Sequence, residues 1–237
     1  MNFKKAVVGS LIGAGMLASP AAFAGFTGNI GVTSKYLFRG IEQGGGAAVQ
    51  GGIDYGHDET GLYAGTWVSN IGFAGGSGDD EGAEVDLYGG WSKEFGGVSV
   101  DLGLLYYWYP EEDEAGADYS TLEYYGGLGY GPFSVTYYYS SELNYFMGTG
   151  NAESAGYVSV GMELPITDSL AFVASYGNFH GDEIEAVLGT DDNYSDYTIG
   201  LAKSVEGFGD FGFTIVDTDL DDDDLEVVLS WNKGFDL

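Results

Sequence analysis

The chain has 237 residues, with 7 Lys and Arg against 37 Asp and Glu and a formal net charge of −30. A field of that sign repels phosphate backbones and excludes nucleic acid as a partner. The lack of Cys removes disulfides, thiolate metal sites and Cys nucleophiles, while 16% aromatic and 44% hydrophobic residues exclude a disordered acidic chain.

Met1 to Ala24 reads as a secretory signal. Lys4 and Lys5 form its positive start, Ala6 to Leu17 is apolar but too short to span a bilayer, and Ala22-Phe23-Ala24 offers small residues for cleavage before Gly25. The expected organisation is a signal peptide over 1–24 and one domain over 25–237.

From Gly25 onward apolar and polar residues alternate with period two, and helical spacing fits no segment better. In the first segment Phe26, Ile30, Val32, Tyr36 and Phe38 share one face; Thr27, Asn29, Thr33, Lys35 and Arg39 take the other. Val49, Ile53 and Tyr55 then oppose Gln50 and Asp54. The segment from Gly61 to Phe73 is apolar on both faces, so its phase is open. Val85, Leu87 and Trp91 oppose Glu84, Asp86, Tyr88 and Ser92, and Val98 to Trp108 opposes Ser99 and Asp101. Leu122 and Tyr124 oppose Thr121 and Glu123, and Phe133, Val135, Tyr137 and Tyr139 oppose Ser134, Thr136 and Ser140. The pattern continues through Val158/Val160/Met162, Leu170/Phe172/Tyr176, Tyr197/Ile199/Leu201, Phe211/Phe213/Ile215 and Leu225/Val227/Leu229/Trp231. About twelve strands are expected.

The connections sort by length. On the side where the chain starts, side one, turns near His57–Thr60, Glu94–Gly97, Gly131-Pro132, Pro165–Ser169 and Val205–Gly209 are short. On side two, Gly75–Glu81, Pro110–Ala117, Leu143–Glu153, His180–Asn193 and Thr218–Asp224 are longer and carry most of the acid. Short turns at one end, long loops at the other and an even strand count point to an all-β, transmembrane, antiparallel up-and-down β-barrel in a bacterial outer membrane, with both termini periplasmic. Apolar-phase aromatics mark two rims: Phe26, Tyr55, Tyr63, Trp91, Tyr130, Phe133, Phe211, Trp231 and Phe235 toward side one; Phe38, Phe73, Trp108, Tyr139, Tyr176 and Tyr197 toward side two. Lys93, Lys203 and Lys233 fall in apolar phase at side-one strand ends, where they can snorkel into the interface. The glycines fit a curved sheet whose exposed backbone is covered by neighbouring rings. A phosphate cradle does not fit Gly44-Gly45-Gly46, which precedes a strand.

Ser34-Lys35-Tyr36-Leu37-Phe38-Arg39-Gly40-Ile41-Glu42-Gln43 resembles the first-strand motif of the TorF-like family of proteobacterial proteins assigned as porins. Trp67-Val68-Ser69-Asn70, Glu84 to Trp91, Tyr107-Trp108-Tyr109-Pro110, Glu123-Tyr124 and Asp196-Tyr197-Thr198 continue the resemblance in order across nearly the whole mature chain. The resemblance implies an outer-membrane barrel with a porin's role. The chain departs from the common barrel ending in Phe or Trp, closing instead on Phe235-Asp236-Leu237.

By strand phase Lys35 and Arg39 point into the lumen with Asp54, Glu84, Asp86, Asp101, Glu123, Glu163 and Glu226. Carboxylates outnumber cations there, which favours cation passage. Arg39, facing Glu84, Asp86 and Glu123 in the side-two half, is expected to shape a constriction. The competing expectation is an ion-pair network that fills a small lumen without conduction. In the last outer loop Asp217, Asp219, Asp221, Asp222, Asp223 and Asp224 offer oxygen ligands for Ca²⁺ or Mg²⁺, without the Gly and final Glu of an EF-hand. His57 and His180 sit in a turn and a loop and do not make a catalytic constellation, so no enzyme is expected. The expected function is a porin-like barrel passing small solutes, cation-preferring; the alternative is a non-conducting structural or surface-binding barrel with acidic, divalent-cation-binding loops. Expected partners are outer-membrane lipids, small solutes and the barrel-assembly machinery; no cofactor is expected.

Overall fold

The computed structural model describes residues 25–72, 82–110, 119–141, 154–181, 193–221 and 224–237. The expected signal segment 1–24, Phe73, Asp222, Asp223 and most of the long side-two connections lie outside the described residues.

Among the described residues fourteen strands follow in chain order: β1 (Gly25–Thr33), β2 (Leu37–Phe38), β3 (Ile41–Glu42), β4 (Ala48–His57), β5 (Leu62–Ile71), β6 (Gly82–Phe95) and β7 (Val98–Trp108). They continue as β8 (Thr121–Tyr130), β9 (Phe133–Ser140), β10 (Ala155–Thr167), β11 (Leu170–His180), β12 (Asn193–Val205), β13 (Gly209–Thr218) and β14 (Glu226–Asp236). Twelve of them form one closed antiparallel barrel in which β1 pairs with both β14 and β4, and β5 to β13 each pair with the strands before and after them. Closure leaves no edge strand with unsatisfied backbone groups, which is what crossing a bilayer with strands demands. The remaining two, β2 and β3, form a separate small hairpin between β1 and β4.

The period-two pattern sets which face goes where. Ile30, Ile53, Leu87, Leu102, Leu128, Val160, Ile199, Phe213 and Leu229 are exposed on the outside. Their neighbours along each strand point inward. In the open-phase segment, Leu62 and Val68 face outward while Tyr63, Ser69 and Ile71 are buried. Exposed aromatics ring both ends of the outer band, with Phe26, Tyr55, Tyr130, Phe133, Phe211 and Phe235 near the short turns and Trp108, Tyr124, Tyr139, Tyr176 and Tyr197 near the long connections. Two of the rim lysines reach the turns: Lys203 Nζ donates to Ser169 Oγ at 2.5 Å and Lys233 Nζ to the Gly207 carbonyl at 2.8 Å. Each leaves its charge at the interface and its stem on the apolar band.

Two of the expected rim aromatics, Tyr63 and Phe38, and Tyr36 of the first segment's apolar face, are turned inward. Tyr63 is a buried interior residue. Tyr36 and Phe38 do not continue β1 in lipid-facing phase, because β1 ends at Thr33 and the chain folds back into the barrel. The fold-back is a two-residue turn in which Arg39 has φ 49° and Gly40 φ 88°. Left-handed values at both central positions suit a tight hairpin. A Cβ at Gly40 would come within 2.5 Å of Thr218 Cγ2 and 2.9 Å of Asp196 Cβ, so the hairpin tip lies directly against β12 and β13. The base of the hairpin is held by Gln43 N donating to the Tyr36 carbonyl and Gly72 N donating to the Gln43 carbonyl, each at 2.8 Å.

Inside the barrel the core is aromatic. Ladder register aligns Tyr125 with Tyr138, Tyr138 with Tyr157, Tyr157 with Phe179 and Phe179 with Tyr194 across β8 to β12. Their ring centroids are 5.6 to 6.2 Å apart, all in tilted arrangements. The same row runs back through Gly103 on β7 and Gly90 on β6 to Tyr63 on β5. Tyr63 and Tyr125 lean over these two glycines and their hydroxyls hydrogen-bond. Because strands in a barrel are tilted, this row is not a level ring. It starts at the second residue of β5, beside a short turn, and ends at the second residue of β12, beside a long connection.

Candidate functional site

The site is assembled where the β2–β3 hairpin enters the side-two half of the barrel. Strand β1 and the wall strands opposite it are separated by half the circumference, and Arg39 bridges that distance. Its Nη2 donates to both oxygens of Glu123 on β8, at 2.7 and 2.8 Å, and the two side chains are 2% and 3% exposed. Tyr107 Oη donates to Glu123 Oε2 at 2.9 Å, fixing the carboxylate from β7. The guanidinium carbon lies 4.4 Å from the Tyr157 ring centre, 5.0 Å from Phe179, 5.5 Å from Tyr138 and 4.7 Å from Phe38 of the hairpin itself. Each such face contributes roughly 0.5–2 kcal/mol, the upper end for desolvated cations. These faces and the ion pair together offset the large cost of taking Arg39 out of water.

A second set of contacts surrounds Glu84 on β6. Tyr36 Oη donates to Glu84 Oε1 at 2.5 Å and Tyr109 Oη to Glu84 Oε2 at 2.8 Å. Asp86, two residues along the same strand face, is 3% exposed and lies within electrostatic range of Glu84 and Glu123. Among the described residues, Asp86 Oδ1 and Arg39 Nε are the buried side-chain polar atoms without a hydrogen-bond partner. Arg39 makes its ion pair with one carboxylate of these three.

The other expected lumen residues are distributed along the interior. Asp54 accepts from Tyr88 Oη at 2.5 Å, and Asp101 from Tyr63 Oη at 2.6 Å, both below the hairpin. Lys35 sits at the hairpin base and pairs with Glu226 at 2.5 Å and Glu42 at 3.4 Å. The Glu226 hydrogen bond holds its ammonium above the ordinary Lys value. The geometry thus gathers Arg39, Glu84, Asp86 and Glu123 into one layer and leaves Lys35, Asp54 and Asp101 outside it. Arg39 itself is carried by the hairpin and not by the wall.

Interior tyrosines escaped the sequence reading. Tyr125, Tyr138 and Tyr194 share strand faces with Glu123, Ser134 and Asp196, Tyr107 with Asp101 and Tyr157 with Glu163, and a large ring in polar phase was the signal available. Asp196, which accepts from Tyr157 Oη at 2.8 Å, is a further buried acid in this wall.

The acidic outer segment is partly in view. Asp219 Oδ1 accepts from Ser195 N at 2.6 Å and Asp217 Oδ1 from Thr218 N at 3.1 Å, so both shape the chain locally. Among the described residues, no three or more His or acidic side chains group to hold a metal ion; Asp222 and Asp223 lie outside them. His57 Nδ1 is 3.2 Å from Thr60 Oγ1 in its turn, and the His180 ring stacks on Tyr137 at 5.9 Å.

A family model described as "Bacterial protein of unknown function (Gcw_chp)" matches residues 17–233. The chain belongs to this family. No curated protein matches it in sequence. Among solved structures the KdgM porin superposes with a TM-score of 0.57 at 6% identity, covering 89% of this chain and 99% of that one. The NanC porin gives 0.54 at 10% identity, covering 88% and 97%. An outer-membrane channel from Pseudomonas putida F1 gives 0.54 at 9% identity, covering 90% and 96%. At such identities the likeness is one of fold. With the exposed apolar band and its aromatic rims, it makes this Gcw_chp chain an outer-membrane β-barrel.

Proposed function

We propose that the chain is a porin-like channel for small solutes, cation-preferring, and narrowed at its side-two end by the β2–β3 hairpin. The observation that supports this is the Arg39–Glu123 pair: a connection leaves the barrel wall, crosses the interior and is fastened there by a buried ion pair. A lumen of acidic walls attracts cations, and here Glu84, Asp86, Glu123, Asp54, Asp101 and Asp196 all face inward. The KdgM porin has been solved with oligogalacturonate, a chain of uronic acids. An interior of the sign found here disfavours such an anion. The reading includes the TorF-like porin assignment within the Gcw_chp family, removal of residues 1–24, periplasmic termini, and insertion by the barrel-assembly machinery.

Planar-bilayer recording of the purified full chain tests it. Small conductance steps are expected in the native protein and larger ones after Arg39→Ala, with a reversal potential displaced toward the cation. Silence in both proteins overturns the channel; anion preference overturns the charge argument.

One observation favours a second reading, a non-conducting barrel. The row from Tyr63 to Tyr194 and the hairpin fill much of the interior with packed rings. In that case liposomes carrying the protein admit no sugars or amino acids, with or without Arg39.

A further inference from the structure

The Arg39 side chain occupies a compartment that it does not itself build. Its carboxylate comes from β8, the tyrosine fixing that carboxylate from β7, and three aromatic faces from β9, β10 and β11. All of these strands belong to the hydrogen-bonded barrel. The occupant comes from a two-plus-two-residue hairpin outside that ladder. The walls therefore persist if the hairpin moves, whereas the hairpin has nothing equivalent to hold its guanidinium elsewhere.

The chemistry of the compartment is specific. A planar, delocalised cation is flanked by ring faces at 4.4 to 5.5 Å while its Nη2 meets a carboxylate end-on. A guanidinium satisfies both demands, since it is weakly hydrated and stacks on aromatic faces. A compact ammonium keeps its water more strongly and matches flat rings less well. The internal occupant is also imperfectly matched: Arg39 Nε is buried without a partner, and so is Oδ1 of Asp86, the ladder partner of Tyr107. A free solute that reoriented within the compartment could bring a donor toward that carboxylate, an option closed to a side chain tethered at the turn.

We propose that the compartment of Glu123, Tyr107, Tyr138, Tyr157 and Phe179 is a binding site for solutes bearing a guanidinium group, and that Arg39 is its built-in, displaceable occupant. This deepens the channel reading by naming a solute class: guanidino compounds, of which arginine is one. Displacement exchanges one guanidinium for another, so the charge of the compartment is conserved as the hairpin leaves and the solute enters.

The test uses the full chain in detergent and an equilibrium readout that does not require conduction. Arg39→Ala empties the compartment, and millimolar methylguanidinium is expected to raise its melting temperature by several degrees, because a ligand that binds only the native state stabilises it. Methylammonium, urea and sodium at equal concentration should give a clearly smaller shift, and native protein should respond less than the variant. Adding Glu123→Gln to Arg39→Ala should abolish the response. Equal shifts with methylammonium, or no shift in the variant, overturn the proposal. If Arg39→Ala does not fold, Arg39→Lys keeps a charge in the compartment and should show a smaller guanidinium-specific shift; none there overturns it as well. Liposome uptake of arginine against lysine is measured in parallel. Rescue without uptake leaves the site standing and removes the channel; uptake without rescue does the reverse.

Discussion

The Tyr194 hydroxyl donates to the backbone carbonyl of Arg39 at 3.0 Å, across 155 positions of sequence. Tyr194 ends the interior row of rings on β12, and Arg39 is the tip of the hairpin from the far side of the barrel. One bond therefore ties the inserted segment to the aromatic core, independently of the ion pair beside it. Tyr194→Phe keeps the ring and deletes the bond. It should cost about 0.5–1.5 kcal/mol and loosen the hairpin without disturbing the barrel. Urea unfolding of Tyr194→Phe in detergent should show that loss with the β-sheet content of the native barrel unchanged.

Truncation of the ion pair should be far more costly. In Arg39→Ala, Glu123 keeps the Tyr107 hydrogen bond but loses its only ion-pair partner among the described residues. Leaving one partner of a buried pair uncompensated typically costs about 3–5 kcal/mol. Urea unfolding in detergent should show that loss, and a double change with Glu123→Gln should recover part of it. Additive losses would mean that the two side chains are not coupled.

Asp86 predicts the opposite sign. Its Oδ1 is buried without a partner, and Glu84 and Glu123 press the same charge upon it. Asp86→Asn retains the shape and removes like-charge repulsion, so the melting temperature should hold or rise. In a conducting barrel the same change should reduce cation preference. A marked drop in stability would instead assign Asp86 a structural bond.

Gly40 is required twice over, by its φ of 88° and by the wall behind it. Gly40→Ala should force the tip away from Asp196 and Thr218 and cost roughly 1–3 kcal/mol, the usual range for overpacking. Thr218→Ala would relieve the contact but not the backbone strain, so recovery in the double variant should be partial. Full recovery would show that the hairpin adopts another turn.

Orientation is open to a direct measurement because the chain has no Cys of its own. Single cysteines at Glu206, in a short turn, and at Asp224, beside β14 at the other end, report opposite rims. Whole cells treated with an impermeant maleimide should label Asp224→Cys and spare Glu206→Cys. The reverse pattern would invert the barrel.

The barrel was legible in the sequence because alternation is a two-body property: a residue and its neighbour disclose their faces without knowledge of any partner. Leu102 and Asp101, or Tyr124 and Glu123, sort themselves in this way. The third segment was not legible, since Tyr63 and Trp67 are as apolar as Leu62 and Val68, and their interior partners, Asp101 for Tyr63 and Tyr36 for Trp67, lie far away in sequence. The hairpin was missed for a related reason. Lys35, Tyr36, Leu37, Phe38 and Arg39 keep a plausible alternation whether they extend β1 or fold back from it. Gly40 and the Gly44-Gly45-Gly46 run marked the bend, but the rings that receive Arg39 lie on strands up to 140 residues away. The members of the site, Arg39, Glu84, Asp86 and Glu123, could be found by phase; their joining into one layer by an inserted tip could not.

The pairing of β1 with β14 also imposes an order on biogenesis. The hairpin is made early, immediately after β1, whereas Glu123, Tyr157 and Tyr194 emerge later, and the circle is completed only when the last strand meets the first. Until β7 to β11 are in place, Arg39 has neither the carboxylate nor the ring faces that receive it. The buried pair is thus a latch between the earliest part of the barrel and its far wall, and an assembly stalled before that wall is built would betray itself by a hairpin still open to proteases.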